Sequence, residues 1–269
     1  MALKFAGLPL KKVLIMGIVN VTPDSFSDGG ETTDIRLAID RGFSQAAEGA
    51  DIIDVGGQST RPGAIQIEPH EELKRISPVV DALVREGLLV SVDTYQPEVM
   101  RAVISQGAKI INDVSGLSAD FRTLKVIASS DVSVVLMHNC RARAFKKNFD
   151  GQVDMIAEID NWFEKVLRKF RESGLEKERF CIDPGIGFGK TPQQNIDILE
   201  NLDVLLKHDC PIMVGVSRKF GLAKPPKERL KESISLALRS VERGCQILRV
   251  HDVPETRQAL DQMMGLVIN

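Results

Sequence analysis

Short apolar runs alternate with segments of helical spacing along almost the whole chain. Eight runs are nearly continuous in β-branched and apolar residues up to their C-terminal ends, which is typical of strands buried on both faces of a parallel sheet. They predict strands at 13–21, 51–57, 88–94, 110–115, 133–138, 180–184, 211–217 and 246–252. The segments that follow have apolar residues at three- and four-residue steps. They predict helices at 35–48, 71–85, 97–106, 121–129, 155–172, 193–207, 228–243 and 255–266.

The residues between these segments agree with the alternation. Glycines follow five of the predicted helices where a left-handed C-cap belongs, namely Gly49, Gly87, Gly107, Gly174 and Gly244. Eight β-then-α units in about 250 residues, with no linker rich in Gly, Ser or Pro, favour a single (β/α)8 TIM barrel over a doubly wound sheet. We therefore predict one α/β barrel domain over residues 1–269.

Composition and charge argue against several classes of protein. The 35 Lys and Arg residues are balanced by 37 Asp and Glu residues, for a formal charge of -2, which disfavours a nucleic-acid partner. The longest apolar stretches fall well short of the roughly 18 to 20 residues that cross a bilayer, so no membrane span is predicted. The four cysteines stand singly, and the N-terminus lacks the features of a signal peptide. We expect reduced thiols and a cytoplasmic protein.

Polar residues stand at the C-terminal ends of the predicted strands, where a barrel carries its active site. One set combines carboxylates, an amide and an ammonium, namely Asp93, Asn112, Asp183 and Lys219. Carboxylates accept hydrogen bonds from N–H groups, an amide accepts and donates, and an ammonium donates. These groups therefore fit a flat heterocycle with amino and lactam edges. The alternative is that each carboxylate caps a helix or pairs with a lysine.

A second set consists of hydrogen-bond donors suited to phosphate oxygens, namely Thr60, Arg61, Lys190, Arg218, Arg249 and His251. The last three follow or belong to the seventh and eighth strands, where barrels often bind phosphate. The set indicates a phosphorylated ligand. The alternative is an ion-pair lattice that joins Asp54 and Asp252 to these arginines.

Three other kinds of site do not fit the sequence. The segment 183–191 has the wrong glycine spacing for a P-loop, and we expect its glycines to bring the backbone and Phe188 close to a flat ligand. Ser59 and Ser217 lack the nucleophile elbow of a serine hydrolase. The four histidines are never four residues apart, so a zinc site is not predicted.

Seven sequence blocks occur in an order typical of one enzyme family. They are MGIVNVTPDSFSDGG at 16–30, DVGGQSTRPG at 54–63, SVDT at 91–94, INDVSG at 111–116, DPGIGFGK at 183–190, SRK at 217–219 and RVHD at 249–252. On these blocks the chain resembles the dihydropteroate synthases of the pterin-binding TIM-barrel family. The resemblance implies a homodimeric transferase that condenses 6-hydroxymethyl-7,8-dihydropterin pyrophosphate with p-aminobenzoate, releasing pyrophosphate, in folate biosynthesis.

The resemblance also implies roles for individual residues. The residues implied to hold the pterin are Asp93, Asn112, Asp183 and Lys219. Those implied to hold the pyrophosphate are Arg61, Arg249 and His251, with Asn20 binding Mg²⁺ beside it. The implied border of the p-aminobenzoate pocket consists of Thr60, Pro62 and Phe188, under loops at 22–30 and 59–63 that close over the site. The implied catalytic residues are Asp93, Asp183, Lys219, Arg249 and His251, which would stabilise charge as the carbon–oxygen bond breaks.

Two departures from the family pattern leave alternatives open. The family has a serine after Ser-Arg-Lys, whereas this chain has Phe220, so recognition of p-aminobenzoate and of sulfonamides stays open. The segment 138–143 also differs and adds Arg141 and Arg143. One alternative is a pterin-binding methyltransferase domain, which would not need the pyrophosphate-binding residues. The other is a non-catalytic paralogue with an altered p-aminobenzoate site.

Overall fold

The computed structural model describes residues 3–22, 31–59, 66–118, 120–140, 153–219 and 229–267. Several predicted features lie outside these ranges. They are the site residues Thr60, Arg61 and Pro62, the departures at Arg141, Arg143 and Phe220, and most of the two loops expected to close over the site.

Within the described ranges, eight parallel strands alternate with eight helices, as the hydrophobic pattern predicts. The strands are β3 (Leu14–Asn20), β4 (Ile52–Gly56), β5 (Val90–Asp93), β6 (Ile110–Asp113), β7 (Ser133–Met137), β8 (Phe180–Asp183), β9 (Met213–Val214) and β10 (Ile247–Val250). The helices are α1 (Glu31–Ala47), α2 (Pro69–Arg85), α3 (Pro97–Ser105), α4 (Phe121–Ala128), α5 (Met155–Glu172), α6 (Pro192–Glu200), α7 (Leu230–Glu242) and α8 (Val253–Val267).

The strands form one ring. Their order in the sheet is β8-β7-β6-β5-β4-β3-β10-β9, so each barrel strand lies beside its sequence neighbours and β10 returns to β3. The parallel bridge between Ile182 and Ile212 joins the two ends of this order, where the Ile182 amide donates to the Pro211 carbonyl at 2.8 Å. The predicted (β/α)8 barrel is confirmed.

Helix α5 shows how the sequence produces the outer layer. Asp154 caps its first turn by accepting a hydrogen bond from the Ala157 amide at 3.2 Å. Ile159, Phe163 and Phe170 recur on one face and are buried against the barrel. The predicted and observed bounds of this helix are identical.

Two elements differ from the sequence prediction. A hairpin of β1 (Lys4–Phe5) and β2 (Leu8–Pro9) precedes the barrel, and no strand was predicted there. Its turn needs left-handed backbone at Ala6 (φ +47°) and Gly7 (φ +83°). The hairpin places Phe5, fully buried, among the apolar side chains inside the barrel.

The predicted helix at 193–207 is also shorter than expected. Helix α6 ends at Glu200, and the chain continues as a 3₁₀ segment over Leu202–His208. Asn201 interrupts the helix at φ -118° and ψ 26°, and its side-chain amide donates to the Asp197 carbonyl at 2.8 Å. No helix in the described part of the chain has the length and apolar character needed to cross a bilayer.

Candidate active site

The strand register aligns two of the predicted heterocycle-binding residues, Asp93 and Asn112, with Asn20. Asn20 on β3 pairs with Gly56 on β4, which pairs with Asp93 on β5, which pairs with Asn112 on β6. Because the strands are parallel and in register here, the polar side chains converge at one end of the barrel.

Arg249 connects two carboxylates in this region. Its Nε donates to Asp54 Oδ2 at 2.7 Å, and its Nη2 donates to Asp93 Oδ2 at 2.8 Å. Asp54 Oδ2 also accepts from Asn112 Nδ2 at 3.0 Å. The guanidinium predicted to bind pyrophosphate is therefore connected to the residues predicted to bind the heterocycle.

The Asp93 carboxyl group is poised to change its protonation state near neutral pH. Burial raises the pKa of Asp93 to about 7, against the opposing effect of the Arg249 charge; the carboxylate of Asp54 adds to the increase. Asp93 Oδ1 is buried and accepts no hydrogen bond from the described residues, so this oxygen has unused acceptor capacity.

Asp183 and Lys219 form the opposite side of the heterocycle set. Asp183 Oδ1 accepts from the Gly185 amide at 2.7 Å, and Lys219 Nζ donates to the Ile186 carbonyl at 2.8 Å. Burial raises the pKa of Asp183, although the Lys219 charge opposes this effect. Burial lowers the pKa of Lys219 to about 8, although Asp183 opposes that shift. The Lys219 ammonium also lies 4.7 Å from the centre of the Phe188 ring.

His251 is held by Ser217 and is neutral at pH 7. Ser217 Oγ lies 3.1 Å from His251 Nδ1 and accepts from the His251 backbone amide at 3.2 Å. Burial lowers the pKa of His251 to about 3, and the Arg218 and Arg249 charges lower it further. His251 can therefore offer an N–H group to an anion, but no positive charge.

Two cations of the predicted phosphate set have other partners. Lys190 donates to the backbone carbonyls of His138 and Gly185, at 3.0 and 2.8 Å, and is buried between them. Arg218 donates to both carboxylate oxygens of Asp252, with its Nε at 3.1 Å. Phosphate binding by Lys190 and Arg218 stays a prediction, and these contacts show which protein groups hold the two side chains in this structure. The ion pairs of the alternative lattice are present for both carboxylates, Arg218 with Asp252 and Arg249 with Asp54.

Asn20 lies at the rim beside the heterocycle set. A Cβ placed on Gly56 would stand 3.7 Å from Asn20 Oδ1 and 3.4 Å from Asp93 Cβ, so these two side chains flank Gly56. The described ranges contain no group of three or more His, Cys, Asp and Glu residues arranged to hold a metal ion.

Two contacts of the site are not anticipated from the sequence. They are the hydrogen bond from Asn112 to Asp54 and the contact between Ser217 and His251. The signal for Asp54 was its place two residues before the end of a buried strand, where an unpaired carboxylate would be costly. The bond between Ser217 and His251 joins residues 34 positions apart, and sequence spacing carries no signal for it.

Known proteins resemble the chain over almost its whole length. A family model described as "Pterin binding enzyme" matches residues 16–251. Dihydropteroate synthase of Escherichia coli is 40% identical over 261 residues, covering 94% of this chain and 91% of the relative.

Two solved structures of Xanthomonas albilineans dihydropteroate synthase share the fold. One, with 4-aminobenzoic acid, has a TM-score of 0.90 at 40% identity and covers 97% of this chain and 96% of that one. The other, in complex with 7,8-dihydropteroate, has a TM-score of 0.86 at 38% identity and covers 96% and 95%. With its barrel, its rim of paired polar residues and these relatives, the chain belongs to the dihydropteroate synthases, transferases of the pterin-binding enzyme family.

Proposed function

We propose that this chain joins 6-hydroxymethyl-7,8-dihydropterin pyrophosphate to p-aminobenzoate and releases pyrophosphate, a step of folate biosynthesis. The observation that carries the proposal is the bridge that Arg249 makes between Asp54 and Asp93, because it links a cation for the leaving group to the acceptors for the ring. The names of the related structures support the amine substrate and the pterin-containing product, since those proteins are described with 4-aminobenzoic acid and with 7,8-dihydropteroate.

The pterin would bind between the two carboxylate-bearing sides of the mouth. Its N–H groups would donate to Asp93 and Asp183, while Lys219 and Asn112 would donate to its lactam oxygen and ring nitrogens. The negative charge of the two carboxylates would favour positive charge that develops in the ring during reaction. Binding at both sides also fixes the methylene carbon relative to the entering amine.

The reaction is a displacement at that methylene carbon. The carbon–oxygen bond breaks and its electron pair leaves with pyrophosphate, while the amine lone pair of p-aminobenzoate forms the new carbon–nitrogen bond; the amine then loses one proton to water. Arg249 and Arg61 would stabilise the departing anion by charge, and His251 by a neutral N–H group. Phe188, half-buried beside Lys219, together with Thr60 and Pro62, would border the p-aminobenzoate ring.

We also propose that Mg²⁺ is bound with the pyrophosphate at Asn20. The amide oxygen of Asn20 is a hard donor at the rim, and Mg²⁺ commonly takes most of its other ligands from substrate phosphates and water. When bound, the ion would neutralise charge on the leaving pyrophosphate.

The two alternatives have less support. A methyltransferase domain has no need of a leaving-group site, whereas Arg249 and His251 are held in place by Asp54 and Ser217. The non-catalytic paralogue rests on Phe220, which lies outside the described residues. The cytoplasmic location and the homodimer stay predictions; the free cysteines support the first, and the resemblance supports the second.

The test is a measurement of pyrophosphate release by the purified protein. The protein is supplied with the pterin pyrophosphate, Mg²⁺ and p-aminobenzoate, and we expect release that depends on the amine. Lys219→Ala is the negative control, and circular dichroism shows that both proteins are folded. Release that does not depend on the amine, or no release from folded protein, would contradict the proposal.

A further inference from the structure

Asp54 lies at the junction of the two predicted ligand-binding sets. We propose that it is a positioning residue that holds Arg249 and Asn112 in place when the pterin donates hydrogen bonds to the Asp93 carboxylate. This inference rests on the proposed function and adds to it a residue that does not touch the substrate.

The contacts of Asp54 support this role. Its side chain is fully buried, and its Oδ2 accepts from Arg249 Nε at 2.7 Å and from Asn112 Nδ2 at 3.0 Å. Asp93 keeps 8% of its surface exposed, whereas Asp54 keeps none, so the Asp54 carboxylate is farther from solvent than the Asp93 carboxylate that would face the ring.

The two carboxylates hold different parts of the Arg249 guanidinium. Nε faces Asp54, whereas Nη2 faces Asp93. Asp93 Oδ1 has unused acceptor capacity, so a pterin edge with two adjacent N–H donors reaches both oxygens of Asp93 only by competing with Nη2 for Oδ2. Because a guanidinium has five N–H donors in one plane, Arg249 can keep its Nε bond to Asp54 while the N–H groups of its two Nη atoms donate to the pyrophosphate. Without Asp54, the released side chain would lose its anchor.

Asp54 also fixes the direction of the Asn112 amide. A carboxylate only accepts hydrogen bonds, so the NH₂ group of Asn112, and not its oxygen, has to face Asp54. The amide oxygen consequently points away from Asp54. Asp54 thus sets which end of Asn112 is available to the heterocycle and, separately, where Arg249 is anchored.

The experiment is a pair of double-mutant cycles read out by binding. Asp54→Asn is combined with Arg249→Ala, and the dissociation constant of inorganic pyrophosphate is measured with Mg²⁺. We expect D54N to raise this constant about tenfold, equal to about 1.4 kcal/mol, and to change it less than about twofold when Arg249 is already alanine. With 6-hydroxymethylpterin as the probe, we expect the D54N effect to disappear in the same way in an Asn112→Ala protein.

Asp113→Asn is the matched control for neutralising a buried carboxylate at a strand end. Both Asp113 oxygens accept from backbone amides of its own turn, Ser115 at 2.6 Å and Leu117 at 3.0 Å. We expect both dissociation constants of D113N to stay within about twofold of the wild type, because the hydrogen bonds of the Asp113 carboxylate go to its own turn and not to the side chain of Arg249 or Asn112. Thermal melts establish that each variant is folded, and if D54N is not, Asp54→Ser replaces it.

The outcomes separate this inference from the proposed function. Wild-type binding of both probes, with additive effects of D54N and R249A, would overturn the inference and leave the proposed function standing. A wild-type protein that binds neither probe would overturn both. Loss of additivity in both cycles would support Asp54 as the positioning residue.

Discussion

The inside of the barrel has two layers that differ sharply although the same strands supply them. Four strands place an apolar residue in the lower layer and a polar residue two positions later in the upper layer: Ile52 and Asp54, Ile110 and Asn112, Cys181 and Asp183, and Ile247 and Arg249. Side chains two positions apart point to the same face of a strand. On these four strands, the apolar lower layer and the polar upper layer are therefore only two residues apart along the chain.

The difference shows where stability and chemistry are located. In the lower layer, Phe5 and its neighbours are buried against one another without charge. In the upper layer, burial raises the pKa values of Asp93 and Asp183, which means that ionising these carboxyl groups in the folded protein is costly. We expect substitutions in the lower layer to reduce the free energy of unfolding, and those in the upper layer to reduce catalysis.

The largest expected effect is on the lower layer. Phe5→Ala removes a fully buried ring, and we expect the free energy of unfolding to fall by about 3–5 kcal/mol in urea denaturation. Phe121→Ala is the control, because this ring is 79% exposed, and its effect should stay within about 0.5 kcal/mol. A stable F5A protein would mean that the hairpin does not support the barrel.

A large effect on catalysis is expected from the upper layer. Asp93→Asn removes a charged acceptor for the ring, and we expect turnover to fall about 10²- to 10³-fold in the pyrophosphate-release assay. Because burial disfavours the Asp93 charge, the neutral amide should leave the urea midpoint close to that of the wild type. If unfolding is affected as strongly as turnover, the separation of the two layers is wrong.

A smaller effect is expected at His251. His251→Ala should lower kcat/KM about tenfold, roughly the contribution of one hydrogen bond to a charged group. His251→Gln keeps a neutral N–H donor and should retain most of the activity. A lysine at this position that outperformed glutamine would show that the site needs charge there, contrary to the pKa of about 3 that burial gives His251.

The smallest expected effect is a shift in pH dependence. Asp93 accepts from the pterin as a carboxylate, so the affinity for 6-hydroxymethylpterin should fall as the pH drops below about 7, the pKa to which burial raises Asp93. Arg249 lowers this pKa, and Arg249→Ala should therefore move the loss of affinity to higher pH. Arg122→Ala, at an exposed ion pair, is the control and should cause no shift. A shift to lower pH in R249A would contradict the assignment.

The sequence pattern predicted the parts of the fold that depend on local periodicity. All eight barrel strands and eight helices appear where the apolar runs and helical stripes indicated, and helix α5 has its predicted bounds. The hairpin at Phe5 was not predictable in this way, because two-residue strands are too short to show alternation. Its turn also uses Ala6 at positive φ instead of Asn or Asp.

The sequence indicated which of the described residues stand at the mouth, but it did not indicate most of their pairings. Strand ends indicated Asp93, Asn112 and Asp183, since parallel strands bring their carboxyl ends together. The partners of Lys190 and Arg218 were not predictable, because a long side chain can reach several acceptors and the fold decides among them. Backbone carbonyls, which have no sequence signature, were the partners of Lys190.

Strands β8 and β9 are connected through fewer residues than the other neighbouring strands of the barrel. One parallel bridge, Ile182 to Ile212, connects these strands in the described ranges, and β9 itself spans only two residues. Asp183 follows this bridge on one side, and Lys219 follows β9 on the other. A pterin ring bound by both Asp183 and Lys219 would add a further connection between β8 and β9, where one bridge joins them. Binding of the ring and closure of the barrel would therefore stabilise each other.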